Sequence, residues 1–79
     1  MKLEIITPKE QLYKGEVTIV SLPGTNGAFE ILKNHAPIIS TLNSGVIKII
    51  DKEKNSIKFV IKSGLVEASN NTIWVLAET

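Results

Sequence analysis

The sequence predicts an all-β domain, an antiparallel β-sandwich or flattened barrel, and three observations carry that prediction. Its apolar residues are mostly β-branched, the side chains that fit a pleated surface best. Turn formers recur roughly every eight to twelve residues, the spacing of short strands in a sandwich. Nowhere does an apolar period near 3.6 persist over the length of a helix.

Each element follows from local pattern. Lys2-Leu3-Glu4-Ile5 alternates as a first strand, closed by Thr7-Pro8. Gln11 to Leu22 is a longer strand region with Gly15 as the expected bend or bulge. Gly24-Thr25-Asn26-Gly27 is a turn leading into a strand at Gly27 to Leu32. Pro37 opens another strand that runs to Leu42, since proline is tolerated at strand beginnings. Asn43-Ser44-Gly45 turns the chain into Val46 to Ile50, and Lys52-Glu53-Lys54-Asn55 is a solvated hairpin loop of mixed charge. Ile57, Phe59 and Ile61 then alternate with Lys58, Val60 and Lys62, the clearest period of two here. Ser63-Gly64 interrupts the run, Leu65 to Ala68 resumes it, Asn70-Asn71 is a tight turn, and Ile73 to Leu76 closes the set. Alternation sends Leu3, Ile5, Ile57, Phe59, Ile61, Ile73 and Val75 inward, and Trp74 and Leu76 outward. An outward tryptophan is either a covered surface residue or a contact for a partner.

Seventy-nine residues make one small domain, which buries only about 60% of the surface of its unfolded chain. A hydrophobic fraction of 43% with 22% charged residues argues against disorder. A net charge of +1, with bases and acids interleaved, offers no basic stripe for nucleic acid or anionic lipid. The absence of cysteine excludes disulfides and thiolate metal sites. No apolar run approaches the roughly 18 to 20 residues that span a bilayer, and Met1 to Ile6 is too short and charged for a signal peptide. The expectation is a soluble, cytoplasmic domain.

Catalytic equipment is sparse. His35 is the only histidine, and although Ser40 is near it in sequence, a nucleophile and base also need an oxyanion hole and an enclosed pocket. The short Gly24-to-Gly27 turn is no phosphate-binding loop, and Asn70-Asn71-Thr72 reads as a turn rather than a glycosylation site. The expected role of His35 is to bond local backbone and hold the Asn34-His35-Ala36-Pro37 corner. Gly24 and Gly27 are expected to permit positive backbone dihedrals.

Leu22-Pro23-Gly24-Thr25-Asn26-Gly27 followed by an apolar run and Asn34-His35-Ala36-Pro37 resembles the signature of the epsilon subunit of bacterial F-type ATP synthases, the delta subunit of the mitochondrial enzyme. Further likeness lies in Leu3-Glu4-Ile5-Ile6-Thr7-Pro8, Leu12 to Val17, Leu42 to Ile49, and Ser63-Gly64 with Val66-Glu67 and Val75-Leu76-Ala77-Glu78-Thr79. The resemblance implies a sandwich of about ten short strands and a non-catalytic rotor subunit. Such a subunit needs no cofactor or metal and links the gamma shaft to the membrane c-ring, so that proton transport is coupled to ATP synthesis. By matched position, Thr7, His35 and Ser40 would face the gamma subunit, and Asn26, Gly27, Ala28 and Glu30 the polar loops of the c-ring. The resemblance places the protein at the cytoplasmic face of a bacterial inner membrane, held there through the complex; a plastid thylakoid is the other setting. The competing class is a free-standing β-barrel module for single-stranded nucleic acid or an oligosaccharide, which would present aromatic rings beside bases. Only Tyr13, Phe29, Phe59 and Trp74 could serve.

The sequence departs from the family pattern in four places. Ala28 stands where an acid is common, and Glu30, where glycine is more frequent, could restore the charge one pleat along. Lys33 replaces a frequent proline, which should loosen the turn before Asn34. The stretch Ser63-Gly64-Leu65 is one residue shorter than the usual paired glycines, implying a changed hairpin connection. Many family members continue into two antiparallel helices that inhibit ATP hydrolysis and in some bacteria bind ATP. Because the sequence stops at Glu78-Thr79, the expectation is a single domain over 1–79 without that arm and without an ATP site.

Overall fold

In a computed structural model describing residues 1–79, strand β2 (Gln11–Gly24) is the element to which most others attach. The remaining strands are β1 (Lys2–Ile6), β3 (Gly27–Leu32), β4 (Ile38–Leu42), β5 (Gly45–Asp51), β6 (Ser56–Ile61), β7 (Ser63–Ser69) and β8 (Thr72–Glu78), with no helix. The first half of β2 pairs with β1, and the ladder continues through β8 and β7 to β4. The second half pairs with β3 on one side and with β5 on the other, and β5 pairs with β6. A single pairing, Gly24 with Leu42, joins β2 to β4 and closes the ladder into a flattened barrel.

The all-β class expected from the sequence is what the chain adopts, with two corrections. Eight strands form rather than about ten, because β2 runs unbroken through both layers and is shared by them. One pairing is parallel: β1 lies beside β8, Leu3 opposite Ile73 and Ile5 opposite Val75. The strands at the two ends of the sequence are thus neighbours in the first layer.

The bend in β2 has an identifiable cause. Between Val17 and Ile19 the register with β5 slips, leaving Thr18 as an extra residue. Such bulges sharpen the twist and bend a strand. The Thr18 hydroxyl donates to the Ile50 carbonyl at 3.2 Å, and the Val17 N–H to the Met1 carbonyl at 2.8 Å. A second slip leaves Leu12 unpaired opposite β1. Gly15, expected to be the bulge, instead pairs regularly with Leu3 between the two slips. The β6–β7 connection also differs from expectation. β6 and β7 do not pair, so the chain passes at Lys62 from the second layer to the first.

The core between the layers holds 16 buried apolar side chains and no buried polar or charged one. Leu3, Ile5, Ile61, Ile73 and Val75 lie in it as alternation predicted, while Ile57 and Phe59 pack against its margin half-buried. Each fully buried large side chain contributes about 1.5–3 kcal/mol. Tyr13 meets Phe59 edge to face, ring centroids 6.2 Å apart, tying β2 to β6 across the layers. Burial there, with the nearby Asp51 charge, pushes the Tyr13 hydroxyl pKa above its ordinary value.

Turns follow local chemistry. Asn70 and Asn71 both have positive φ (51° and 61°), as a two-residue type I′ hairpin turn requires. At the β2–β3 hairpin the two glycines serve different needs. Gly27 has φ of 123°, whereas Gly24 has no positive φ; a Cβ there would lie 2.7 Å from the Gly27 carbonyl and the Phe29 ring. In the β5–β6 loop, Asp51 accepts the N–H groups of Glu53 and Asn55 and the Asn55 side-chain amide at 2.8–3.1 Å.

Gly24→Ala should cost about 1–3 kcal/mol by overpacking, read as a lower urea midpoint. The N–H of Asn55 leads the contacts that hold the Asp51 carboxyl below its ordinary pKa, aided by the Asn55 side chain, the Glu53 N–H and the Lys52 charge, against a smaller opposing effect of burial. A lowered folded pKa stabilises above the unfolded value, and that contribution disappears as pH falls through the folded one. Asp51→Asn should therefore lower the urea midpoint at pH 7, and the gap to the unaltered chain should close on acidification.

Candidate functional site

The β2–β3 hairpin forms an exposed tip anchored on β4. The Thr25 N–H donates to the Thr41 carbonyl at 3.1 Å, the two threonine hydroxyls lie 2.8 Å apart, and the Asn43 N–H donates to the Pro23 carbonyl at 2.7 Å. Asn26, Gly27, Ala28 and Glu30 are all exposed on this one hairpin. Along β3, Phe29 and Ile31 turn towards the core while Ala28, Glu30 and Leu32 face outward together. The Glu30 carboxylate accepts the Ser21 hydroxyl at 3.1 Å across the ladder and stays open to solvent. Ala28 and Glu30 thus share a face, one pleat apart, about 7 Å along the strand.

Thr7, His35 and Ser40 are not gathered in this way. Thr7 caps the β1–β2 turn: its hydroxyl oxygen accepts the N–H groups of Lys9 and Glu10 at 3.2 and 3.1 Å, and the hydroxyl donates to the Glu10 carbonyl. His35, half-buried between β3 and β4, donates from Nδ1 to the Ala36 carbonyl at 3.0 Å. Its Nε2 is shielded from solvent and unpartnered. The Ser40 hydroxyl donates to the Thr41 carbonyl at 3.0 Å, and its side chain alternates onto the same side as Ile38 and Leu42. No hydrogen bond joins His35 to Ser40. Between Thr7 and Ser40 lie the three strand spacings from β1 to β4, about 14 Å of sheet.

That intervening outer face holds the residues which sequence reasoning only half found. Trp74 (42% exposed) and Leu76 (51%) project from β8 as alternation predicted. Beside them stand Leu65 (39%) on β7 and Ile39 (72%) on β4. Leu76 pairs with Leu65 on one side and with Ile6 on the other. Trp74 lies directly between Glu4 and Glu67, and Ile39 is opposite Glu67. Alternation within Pro37–Leu42 and Leu65–Ala68 could have flagged Ile39 and Leu65, but short apolar runs do not say which face is the inner one. The other three aromatic rings, Tyr13, Phe29 and Phe59, pack against the core.

No three His, Cys, Asp or Glu side chains gather where they could hold a metal ion. No helix is long and apolar enough to cross a membrane.

Comparison with known proteins bears on what such a face and tip serve. The ATP synthase epsilon chain of Chlorobium limicola is 40% identical over 77 residues, covering 98% of this chain and 88% of that one. The ATP synthase epsilon chain of Leptospira interrogans is 40% identical over 78 residues, and there this chain spans only 61% of its relative's length. The fold is shared, at 16% identity, with a chain of the Euglena gracilis mitochondrial ATP synthase OSCP/F1/c-ring assembly (TM-score 0.90, 98% of this chain and 49% of that one). A chain of the Tetrahymena thermophila mitochondrial ATP synthase central stalk and c-ring is similarly alike (TM-score 0.85, 100% and 63%, 16% identity). The family model for the β-sandwich domain of the ATP synthase delta/epsilon chain matches residues 1–79, and the chain belongs to that family.

Proposed function

We propose that this chain is a non-catalytic connector of the ATP synthase rotor, joining the gamma shaft to the c-ring so that proton transport drives ATP synthesis. The observation that carries the reading is the match to the delta/epsilon β-sandwich along residues 1–79, on a domain whose exposed features are an apolar face and an anchored tip. An apolar patch of this kind on a small domain marks a partner surface. In this reading the outer face of β1, β8, β7 and β4 meets the gamma shaft, with Thr7 and His35 at its margin; Ser40, matched by position to the same contact, turns its side chain to the inward side of β4. The tip residues Asn26, Gly27, Ala28 and Glu30 meet the polar loops of the ring. Through the complex, the domain sits at the cytoplasmic face of the membrane.

Transmitting torque needs stiffness and distributed contact rather than a reactive group. The dry core supplies the first, since close-packed interiors are poorly compressible. The free-standing nucleic-acid or sugar module finds little support, because Trp74 is the one aromatic ring left on the surface. At the tip, Glu30 supplies the carboxylate that Ala28 lacks and is held out by Ser21.

Immobilised full-length chain should retain the gamma subunit and the c-ring from detergent-solubilised ATP synthase membranes; retention of neither would overturn the connector reading. Glu30→Gln should weaken ring retention about two- to fivefold, the scale of one exposed ion pair. Unchanged retention in Glu30→Gln, together with a gain in Ala28→Glu, would show that Glu30 does not replace the missing acid.

A further inference from the structure

We propose that Trp74, with Glu67 and Glu4 on either side, is a receptor for a basic side chain carried by the gamma shaft. The inference rests on the shaft-facing reading above and adds what the shaft must present. Glu4 of β1 and Glu67 of β7 are both register partners of Trp74, one across a parallel pair and the other across an antiparallel pair. Directly paired side chains on one face lie about 4.5–5.5 Å apart at Cβ. The indole therefore stands between two glutamates on neighbouring strands, with Lys14 of β2 beyond Glu4.

The two carboxylates are not equally free. Glu4 accepts the Gln11 amide at 2.6 Å and is the register partner of Lys14, though no lysine lies within 4.0 Å of it. Glu67 makes no hydrogen bond and no ion pair, and its other register partner is the exposed, apolar Ile39. An unpaired carboxylate between a tryptophan and an isoleucine would be desolvated without compensation when that face is covered. A partner cation removes the penalty. A guanidinium or ammonium set over the indole gains attraction from the ring face and from both carboxylates. Leu76, Leu65, Ile6 and Ile39 supply the apolar surroundings that exclude water. The same outer face also carries Lys2 and Lys14, the latter opposite Glu4, so Glu67 is the carboxylate beside Trp74 that has no basic register partner, whereas on the outer face of the second layer Lys48 pairs with Lys58.

The test is calorimetric binding of the full chain to an F1 complex that contains the gamma shaft but has been depleted of this subunit, at low and high salt. Glu67→Gln and Trp74→Leu, which keep size and apolar character respectively, should each weaken binding about three- to tenfold. Glu67→Lys should weaken it more, and the salt dependence of Glu67→Gln should be shallower than that of the unaltered chain. Lys58→Gln, on the opposite layer, should bind as the unaltered chain does. If the unaltered chain binds and all three Glu67 and Trp74 variants match it, the receptor is overturned while shaft docking stands. If the unaltered chain itself fails to bind, the shaft reading falls and takes the receptor with it.

Discussion

Everything in this domain depends on one strand being hydrogen-bonded into both layers. β2 pairs with β1 through its first half and with β3 and β5 through its second. The corner is made at Thr18, where a bulge bends the backbone and the threonine hydroxyl donates to the Ile50 carbonyl. Sandwiches whose layers share no strand can slide on an apolar contact alone. Here any relative movement of the layers must distort a continuous backbone and its ladders. The parallel docking of β1 on β8 adds a second restraint, because the strands at both ends of the sequence are locked together in the first layer.

That constraint links the two surfaces to which the proposed function assigns partners. β2 begins beside β1, at the margin of the face carrying Trp74, Leu76, Leu65 and Ile39. It ends at Gly24, at the turn of the hairpin that bears Ala28 and Glu30. Force applied at the tip therefore reaches the apolar face through covalent backbone and paired strands, and the tip is further tied to β4 by Thr25 and Asn43. A core with no polar side chain has no internal bond to rearrange under load. In the proposed connector role, the sparse chemistry of the sequence and the stiffness of the fold would serve the same end, the carrying of load.

Much of this was legible in the sequence, and what was not has a physical reason. Alternation at Ile57, Phe59 and Ile61 and at Ile73 and Val75 gave strands and faces, because a period of two is fixed by the pleat. Asn70-Asn71 gave its turn, because asparagine tolerates the left-handed region. Alternation is silent on which strand lies beside which, so the parallel β1–β8 pair, the sharing of β2 and the layer change at Lys62 emerge only in three dimensions. Gly15 misled for a related reason: a glycine permits a bulge without requiring one, and the slips fell at Leu12 and Thr18 instead. At the surface, the tip residues were named through the family resemblance, and nearness in sequence places them on one exposed hairpin. The face around Trp74 is assembled from four strands, so Ile39 and Leu65 carried no signal that separated them from core residues.

The central claim is that the two layers open only together. Native-state hydrogen exchange measures it directly, by comparing amides of β5 in the second layer with those of β7 and β8 in the first as denaturant is raised. A single block predicts that the slowest amides of both layers share one opening free energy and one denaturant slope, equal to those of global unfolding. Exchange of β5 through a separate, lower-energy opening, with β7 and β8 still protected, would contradict it.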